Sequence, residues 1–407
     1  MPALLRIALR NVLRHRRRSL ITFSAMFLAL AIMVGVRGFM NGMQSGIRDS
    51  IVKGQSGELQ IHRRGYLRST GKSSLEMDVP TDSAFLQRIT SVEGVRAVTP
   101  RIQFGAMVSV RDTTSVAMLT AIDPEREPMV CPRRADLVSS GKLIAPGPTD
   151  SANLAPELAA ALGLHLGDTA TLLANDRDGV MNALEVHHVG TLGQAGMPLP
   201  DKKIGLMTLT QAQELLRMPG RATEFAISID DIRQLDAIKG RLQAAVGNDY
   251  EVATWSELMP WVEDAMAAQD FMLNFLAGIF LFVALLGIVN TMLMSVYERT
   301  REIGTMMSVG VRRRQILGLF LLEAGLLGLS GGLVGAAVGG GYVYYLSHTG
   351  VVFRMGGASL PMYIHPFITP SYALFVLLLA TGGALVAALW PSLRASGLRP
   401  VEALSAL

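Results

Sequence analysis

The stretch 297–316 reads YERTREIGTMMSVGVRRRQI, and it separates two long apolar stretches at 271–296 and 316–345. Each apolar stretch is long enough to cross the hydrocarbon core of a bilayer as a helix. The charged residues between them are the acids Glu298 and Glu302 and the arginines Arg299, Arg301, Arg312, Arg313 and Arg314. An excess of Lys and Arg in a short loop between spans indicates the cytoplasmic side. The stretch therefore predicts a cytoplasmic loop between two membrane helices.

The composition indicates a chain that is part membrane helix and part water-soluble domain. Half of the 407 residues are hydrophobic, and 17% are charged, which together fit neither a soluble enzyme nor a protein made only of membrane spans. The net charge is +4, and the basic residues cluster beside the apolar stretches, so the charge predicts topology and no nucleic-acid partner. The single cysteine, Cys131, cannot form an internal disulfide.

The N-terminal residues predict an amphipathic helix followed by a membrane span. Arginines crowd positions 1–18 and interleave with apolar residues at helical spacing, as in a helix on the cytoplasmic membrane surface. The apolar stretch 19–41 is long enough for the first span. A cleaved signal peptide is the competing interpretation, because Ala29-Leu30-Ala31 matches a cleavage pattern. The apolar run continues past this pattern to Val36, which favours an uncleaved anchor.

The segment 42–268 contains no apolar run of bilayer length, and it alternates strand-like with helical pieces. Thr169 to Leu173, for example, has the apolar pattern of a strand. Residues 95–110 predict two strands separated by a turn at Pro100, and Thr210 predicts the N-cap of a helix. This mixture predicts a large α+β domain with two lobes.

The other apolar stretches complete the predicted membrane topology. The predicted segments after the α+β domain are the second span 269–297, the cytoplasmic coupling loop or helix 298–314, the third span 315–346, a short outer loop 347–370, the fourth span 371–391 and a cytoplasmic tail 392–407. Basic residues concentrate at the N-terminus, in the coupling loop and in the tail, and an even number of spans places all three on one side. The predicted fold class is an α-helical membrane protein with four transmembrane helices and a large extracytoplasmic α+β domain inserted between the first and second.

No motif predicts catalysis or nucleotide binding by this chain. Gly71-Lys72-Ser73 has Tyr66 where a Walker A loop requires its first glycine, so the phosphate cradle is missing. His187 and His188 are adjacent on a predicted strand and would point to opposite faces, which is poor geometry for one metal ion. We therefore expect a non-catalytic chain with no cofactor and no metal of its own.

The third span carries small residues and one acid. Gly331, Gly335 and Gly339 recur every four residues, a spacing that lets another helix approach closely. Two interpretations remain open: tight packing within one chain, or a sliding or dimer-forming surface. Glu323 lies in the first turns of this span, where a carboxylate is costly unless it is paired. We expect its partner to be an arginine of the preceding loop.

Taken together, these residues resemble the type VII ABC-transporter permeases of the MacB, FtsX and Lol class. The resemblance extends over nearly the whole chain, and its two membrane signatures are the specific ones. The matching segments are Leu5–Asn11, Leu158–Asp168, Glu298–Gly304 with Gly310 and Ile316, Pro391 with Arg394–Ser396, and Pro400–Leu404.

The resemblance implies one protomer of a dimeric permease in the bacterial inner membrane, with cytoplasmic termini and a periplasmic α+β domain. Its partners would be a cytoplasmic ABC ATPase dimer, which binds ATP and Mg²⁺, and a second permease protomer of the same or a paralogous chain. Movement of the ATPases would reach the periplasmic domain through the second span, which is called mechanotransmission. The residues implied for ATPase coupling are Glu298, Arg299, Arg301, Glu302, Ile303, Gly304, Met307 and Gly310, and those for helix packing or dimer formation are Gly331, Gly335 and Gly339.

The coupling loop itself supports this role. Ile303, Met306, Met307 and Val309 would form a short apolar face that can dock in a groove of the ATPase, as amphipathic helices do in other complexes. The glycines Gly304 and Gly310 would permit bends at the helix ends.

The subgroup is indicated by a shorter motif. Asn41-Gly42-Met43-Gln44 after the first span is similar to the lipoprotein-releasing Lol-type permeases. This similarity implies ATP-driven release of a lipoprotein substrate from the inner membrane towards the outer membrane, with a periplasmic lipoprotein carrier as partner. The alternatives are a MacB-like exporter of antibiotics or peptides with a separate ATPase, and an FtsX-like transmembrane regulator of a cell-wall hydrolase.

Overall fold

The computed structural model describes residues 2–14, 16–68, 75–147, 150–193, 203–353 and 360–398. The sequence motifs at Gly71-Lys72-Ser73 and Pro400–Leu404, and most of the predicted tail, lie outside these described residues. Contacts divide the chain into two compact units. We call residues 1–44, 265–351 and 364–407 the helical unit, and residues 45–264 with 352–363 the α+β unit.

The described residues form twelve α-helices of very different lengths. They are α1 (Pro2–Arg14), α2 (Arg16–Ile51), α3 (Ser83–Thr90), α4 (Glu127–Val130), α5 (Pro156–Leu162), α6 (Leu209–Leu215), α7 (Leu235–Val246), α8 (Trp255–Leu258), α9 (Pro260–Glu298), α10 (Thr300–Ser308), α11 (Arg313–Thr349) and α12 (Pro370–Ser396).

The described residues also form fourteen strands, all but two of them between α2 and α9. They are β1 (Leu59–Arg63), β2 (Val79–Pro80), β3 (Val95–Val110), β4 (Thr113–Ile122), β5 (Val138–Gly141), β6 (Ser151–Leu154), β7 (Thr169–Asn175), β8 (Met181–Leu192), β9 (Ile204–Thr208), β10 (Arg221–Ala222), β11 (Glu224–Ile229), β12 (Tyr250–Thr254), β13 (Val351–Phe353) and β14 (Met362–Ile364).

Four helices, α2, α9, α11 and α12, are long and apolar enough to cross a membrane, as the four apolar stretches predicted. All four extend beyond the predicted spans, and α2 and α9 do so by the most residues. Helix α2 does not end at residue 41, because Met43, Ile47 and Ile51 continue a buried stripe at helical spacing. Helix α9 begins at Pro260, nine residues before the predicted start at 269. The predicted N-terminal helix 1–18 is shorter in the structure, since α1 ends at Arg14 and α2 begins at Arg16.

Helix α11 is the centre of the helical unit. Of the 18 most apolar consecutive residues of α11, 50% are buried inside the unit, whereas only 11% are buried in the corresponding stretch of α9. It packs on α2 and α12, whose small and apolar residues form one hydrophobic cluster with it. At Gly328 an added Cβ would lie 2.7 Å from the Cβ of Ala384 on α12, so the two helices are in close contact there. Helix α9, by contrast, exposes most of its apolar surface.

The α+β unit is built on one ten-stranded sheet with the strand order β12-β1-β11-β3-β4-β9-β6-β8-β5 and with β7 paired to β3 and β8. Most neighbours are antiparallel, whereas β4–β9 and β6–β8 are parallel. Two separate hydrophobic clusters pack on the sheet, one that includes α3 and α7 and one that includes α5 and α6. The unit therefore has two large cores on one continuous sheet, with smaller clusters beside them.

Two local predictions in this unit are wrong. The structure has one 16-residue strand, β3, where a turn at Pro100 was predicted. At Pro100, β3 pairs with Phe225 of β11, and its pairing with β4 begins only at Arg101. Because β3 has a single neighbour at that point, the missing N–H is tolerated. The N-cap of α6 is Thr208, not Thr210, because β9 ends at Thr208 and its side chain accepts a hydrogen bond from the first turn of the helix.

The sheet has an apolar face and a polar face around β1 and β11. Alternation along a strand sends Leu59 and Ile61 into a hydrophobic cluster, and Gln60 and His62 to the opposite face. Cross-strand pairing places His62 beside Glu224, and Glu224 beside Arg101. All of these polar side chains are buried. Burial of charged groups on one face of a sheet is unusual.

Candidate coupling site

The predicted coupling loop contains a nine-residue helix, α10, followed by a turn into α11. Gly310 lies in this turn with φ +97°, a backbone conformation that favours glycine because an L side chain would be strained. This position agrees with the expected bend at Gly310. Gly304 does not bend a helix end as expected, because it is buried in the middle of α10.

One face of α10 packs against its own chain. Ile303 is fully buried, and Met306 and Met307 pack against the hydrophobic cluster of the helical unit. Ile303, on the apolar face that was predicted to dock in an ATPase groove, is therefore covered by the helical unit itself. Val309, in contrast, is 81% exposed. The surface of α10 that remains open to a partner is its polar face, which includes Arg301, Glu302, Thr305 and Ser308.

A buried ion pair joins α10 to α11. Arg299, the N-cap residue of α10, donates from Nη1 to Oε1 of Glu323 at 3.1 Å, and both side chains are buried. This contact confirms the predicted pairing of Glu323 with an arginine of the preceding loop. The same Oε1 atom accepts a hydrogen bond from Nδ2 of Asn11 at 2.6 Å. Three helices, α1, α10 and α11, therefore meet at the Glu323 carboxylate.

Further charge pairs extend outward from this centre. Arg299 also donates from Nε to Oε2 of Glu302 at 3.0 Å, and Glu302 lies 3.7 Å from Nη1 of Arg14 on α1. Arg18 of α2 donates to Glu298 at the end of α9 at 2.9 Å. The four outer residues, Arg14, Arg18, Glu298 and Glu302, are partly exposed, whereas Arg299 is not. We call Asn11, Arg14, Arg18, Glu298, Arg299, Glu302 and Glu323 the coupling cluster.

Two aromatic contacts add to the coupling cluster. The guanidinium of Arg394, on α12, lies 5.4 Å from the ring centre of Tyr297, and that of Arg299 lies 5.8 Å from the ring centre of Phe320. Such cation–π contacts are worth roughly 0.5–2 kcal/mol, depending on burial. The residues around 297–302 thus contact α1, α2, α11 and α12 within the helical unit.

The energetics of the coupling cluster are dominated by its buried centre. Removing one member of a buried pair typically costs about 3–5 kcal/mol, because the other charge is left uncompensated. An exposed pair such as Arg14–Glu302 contributes only about 0–1 kcal/mol. The cluster contains no nucleophile beside a base, and the described residues contain no group of three or more His, Cys, Asp or Glu that could hold a metal ion. The contacts of the cluster join helices α1, α2, α9, α10 and α11.

The three predicted packing glycines lie against α2 of the same chain. A Cβ added to Gly335 would lie 2.7 Å from the carbonyl oxygen of Phe27, and one added to Gly339 would lie 2.7 Å from that of Ala31. At Gly331 the nearest atom would be Cβ of Met26 at 2.9 Å. These distances correspond to the first of the two interpretations, tight packing within one chain.

The structure thus separates the predicted coupling residues into three groups. Arg299, Ile303 and Gly304 are buried, Met307 is half-buried, and Glu298, Arg301, Glu302 and Gly310 are exposed. Sequence reasoning missed the roles of Asn11, Arg14 and Arg18. The basic N-terminal residues were assigned to membrane topology, and only the tertiary structure places their side chains beside the acids of residues 298–323.

Two family models match the chain. The MacB-like periplasmic core domain matches residues 19–245, and the FtsX-like permease C-terminal region matches residues 274–400. The second match includes most of α9 and all of α10 and α11. It therefore contains the acids of the coupling cluster.

Similar proteins cover most of the chain at low identity. A macrolide export ATP-binding/permease protein MacB from Marinobacter nauticus is 27% identical over 98% of this chain and 60% of its own length. An uncharacterized ABC transporter permease, YknZ of Bacillus subtilis, is 23% identical over 98% of both chains. The chain covers 37%, 60% and 40% of the lengths of three MacB relatives. The solved periplasmic region of MacB from Actinobacillus actinomycetemcomitans is 12% identical over 54% of this chain and 98% of that one, with a TM-score of 0.36.

Proposed function

The chain belongs to the family of ABC transporter permeases that combine a MacB-like periplasmic core with an FtsX-like C-terminal region, and we propose that it transmits movement from an ATPase to that core. A dimer of cytoplasmic ABC ATPases binds ATP and Mg²⁺ in this proposal, and a second permease protomer completes the complex. The four apolar helices fit an inner-membrane protein with a periplasmic domain. The basic flanks of the spans support cytoplasmic termini.

The arrangement of α10 is the observation that carries this proposal. Its inner face packs on the helical unit, and its outer face is polar and exposed. Its first residues are joined to α1 and α11 by the buried Arg299–Glu323 pair. A partner that binds the outer face therefore cannot displace α10 without moving these helices as well. Complementary charge on the partner would recognise Arg301 and Glu302.

Helix α9 supports a route away from the coupling cluster. It is continuous over 39 residues, and ion pairs tie it to α2 at two places. Arg18 contacts Glu298 at one end, and Arg37 donates to Oδ1 of Asp270 at 2.8 Å towards the other. Because α9 buries little of its apolar surface within the unit, few side-chain contacts oppose its displacement. In our proposal, α9 and α2 move together and carry the displacement along the membrane normal.

A charge reversal on the outer face of α10 tests this proposal. In proteoliposomes that contain the chain and its ATPase, Arg301→Glu should reduce stimulation of ATP hydrolysis by cargo at least about tenfold, the equivalent of 1.4 kcal/mol. The substitution leaves the Arg299–Glu323 pair in place. Arg64→Glu, an exposed reversal in the α+β unit, is the matched control and should behave as wild type. Normal stimulation in Arg301→Glu would contradict the proposal.

The cargo that we propose first is a small amphiphilic molecule or peptide, which the complex would export. Relatives named as macrolide export proteins support it. Lipoprotein release is the second candidate, and its support is the motif Asn41–Gln44. That motif has packing contacts of its own, since Asn41 donates to the carbonyl of Phe367 and Gly42 lies against the backbone of Pro366. These contacts give two of its residues a role that does not require lipoprotein.

The two cargo hypotheses predict different results with the same vesicles. Export predicts ATP-dependent movement of a labelled macrolide or peptide, and deletion of the gene should raise sensitivity to it. Lipoprotein release predicts ATP-dependent transfer of a labelled lipoprotein to a soluble carrier. Transfer of lipoprotein without export would reverse the order of our two candidates. If neither cargo moves while ATP hydrolysis is coupled to α10, the transport proposal fails and the coupling proposal remains.

A further inference from the structure

A partly enclosed cavity of about 310 Å³ lies on the polar face of the ten-stranded sheet. Pockets that hold small ligands begin at about 300 Å³. Strands β1, β3, β4, β9 and β11 form its floor, and the segments that follow α2 and α4 form its cover with the end of α8. All of its lining residues belong to the α+β unit.

The cover is held to the floor by a buried ion cluster. Glu127 accepts two hydrogen bonds from Arg101, at 2.6 and 3.1 Å, and lies 2.7 Å from Nε of Arg134. Both arginines also donate to the carbonyl oxygen of Gln55, at 2.7 and 2.6 Å. These contacts explain how the two cations are stabilised out of water. The N–H groups of Nη1 of Arg134 take part in none of these contacts.

Glu224, on the floor of the cavity, has a longer ionic contact than Glu127. Its side chain is only 7% exposed, and within the described part of the chain its nearest cation is Nη1 of Arg101 at 3.7 Å, too long for a hydrogen bond. Glu224 also lines the cavity, so its carboxylate can accept hydrogen bonds from a group that enters. A ligand that donates hydrogen bonds there would gain a charge-assisted contact.

The charges around the cavity sum to zero. Arg101 and Arg134 are balanced by Glu127 and Glu224, and all four are buried. A ligand with a net charge would leave one charge uncompensated in this environment, which is strongly unfavourable. A ligand with one cationic and one anionic group preserves the balance. The cationic group would meet Glu224, and the anionic group would meet the free hydrogens of Arg134 and the side-chain amide of Gln103, which also lines the cavity.

The other end of the cavity is apolar. Its walls there are the side chains of Met118, Leu137, Leu192, Ile204 and Leu206. Burial of apolar ligand surface against such walls contributes roughly 25 cal/mol per Å². The cavity therefore combines a zwitterion-compatible end with an apolar end, within a volume that suits a ligand of amino-acid or dipeptide size.

We propose that this cavity binds an apolar α-amino acid, free or as a short peptide, with its ammonium group at Glu224, its carboxylate at Arg134 and Gln103, and its side chain against the apolar walls. This inference does not depend on the proposed coupling function. It concerns the α+β unit alone, and it assigns that unit a small-molecule site separate from the coupling cluster.

Calorimetric titration of the full-length protein in detergent micelles tests the site. Leucine and leucyl-leucine are the two ligands, and N-acetyl-leucine and leucinamide each lack one of the two charges. We expect saturable binding of leucine or of leucyl-leucine, and at least about tenfold weaker binding of both capped compounds. The stronger of the first two ligands shows whether the site prefers the free amino acid or the peptide. Equal binding of leucine and both capped compounds would overturn the proposal, as would no binding of either zwitterion.

Two variants check that binding occurs in this cavity. Glu224→Gln should weaken binding at least about tenfold by removing the charge that meets the ammonium group. Thr120→Phe fills the cavity and leaves all four charged groups in place, so it keeps the test valid if the first variant fails to fold. Val116→Phe, on the same strand and exposed, is the matched control. Unchanged binding in Thr120→Phe would overturn the proposal.

Discussion

Two buried arginines, Arg299 in the helical unit and Arg101 in the α+β unit, each pair with a buried glutamate, but their surroundings differ. Arg101, Glu127, Arg134 and Glu224 all have side chains that are at most 7% exposed. The coupling cluster leads outward instead, because Arg299 contacts Glu302, which is 50% exposed and reaches Arg14, which is 70% exposed.

The difference teaches what each cluster is suited for. We call Arg101, Glu127, Arg134 and Glu224 the closed cluster, because all four side chains are buried. It fixes one segment of the α+β unit against another and contributes a site for a matching ligand. We call the coupling cluster the open cluster, because it joins a buried pair to side chains that a partner can reach. A displacement of those exposed side chains therefore also moves the buried pair. The two clusters use the same residue types, and exposure of the outer members distinguishes them.

Breaking the closed cluster should have the largest effect on stability. Arg101→Met leaves Glu224 without its nearest cation and deprives Glu127 of two hydrogen bonds, so we expect a loss of about 3–5 kcal/mol in the free energy of unfolding. Chemical denaturation of the full-length protein, followed by tryptophan fluorescence, measures it. The double variant Arg101→Met/Glu224→Gln should lose less than the single one, because it removes the unpaired carboxylate and keeps the Arg134–Glu127 pair. A loss below about 1 kcal/mol in the single variant would mean that water enters the cluster.

Breaking the open cluster should affect coupling more than stability. Arg299→Lys keeps the charge but cannot bind Glu302 and Glu323 at once through a planar fork. We expect a loss of about 1–3 kcal/mol in stability and loss of cargo-stimulated ATP hydrolysis. The measurements are thermal unfolding in detergent and ATPase assays in proteoliposomes. Full coupling in a stably inserted Arg299→Lys protein would show that the buried pair does not relay movement.

The helices that carry the open cluster should depend on their glycine contacts. In Gly335→Ala the new Cβ would meet the backbone oxygen of Phe27 at 2.7 Å, and a backbone atom cannot move aside, so we expect a loss of about 1–3 kcal/mol. Gly340→Ala is the matched control on α11, since nothing lies within 4 Å of its Cβ position, and alanine favours a helix. Equal melting temperatures of the two variants would contradict the observed packing.

The closed cluster and its neighbours should make the α+β unit sensitive to acid. Burial lowers the pKa of His62 below its usual 6.5. Burial alone would raise the pKa of Glu127, but the guanidinium groups of Arg101 and Arg134 outweigh it and hold this pKa below its usual 4.5. In both cases the unfolded chain binds the proton more readily, so the stability contribution is complete above the usual pKa and is lost as the pH falls through the folded pKa.

Unfolding of the full-length protein at a series of pH values from about 8 to 4 measures this effect. We expect stability to decrease first below pH 6.5, because of His62, and again below 4.5, because of Glu127. His62→Gln should remove the first decrease and leave the second. A protein whose stability is constant over this range would show that neither group is held in its folded environment.

The smallest effect is expected at the outer end of the open cluster. A double-mutant cycle of Arg14→Ala and Glu302→Ala should give a coupling energy of about 0–1 kcal/mol, because both side chains are exposed. Added salt should reduce it, since exposed charges are screened. A coupling energy near that of a buried pair would mean that a partner or lipid covers this end.

The sequence by itself determined the features that depend on local composition. The sequence contains four apolar stretches that are long enough to cross a bilayer. Such stretches depend only on neighbouring residues, and the structure has a helix at each of the four. The partner of Glu323 was predictable for the same reason, because a carboxylate in an apolar helix needs a nearby cation, and the adjacent loop has five arginines. Because the loop has several arginines, the sequence did not determine that Arg299 is the one that pairs with Glu323.

The tertiary structure decided everything that depends on which distant residues meet. The buried face of α10 is set by the hydrophobic cluster that it packs on, and the partner of the glycine stripe is set by the position of α2. The extension of α2 beyond residue 41 follows from burial of Ile47 and Ile51. The average hydropathy of the sequence does not reveal this burial. Glu224 and Arg101 lie on strands far apart in the chain, so their meeting on one polar face is a consequence of strand order and register.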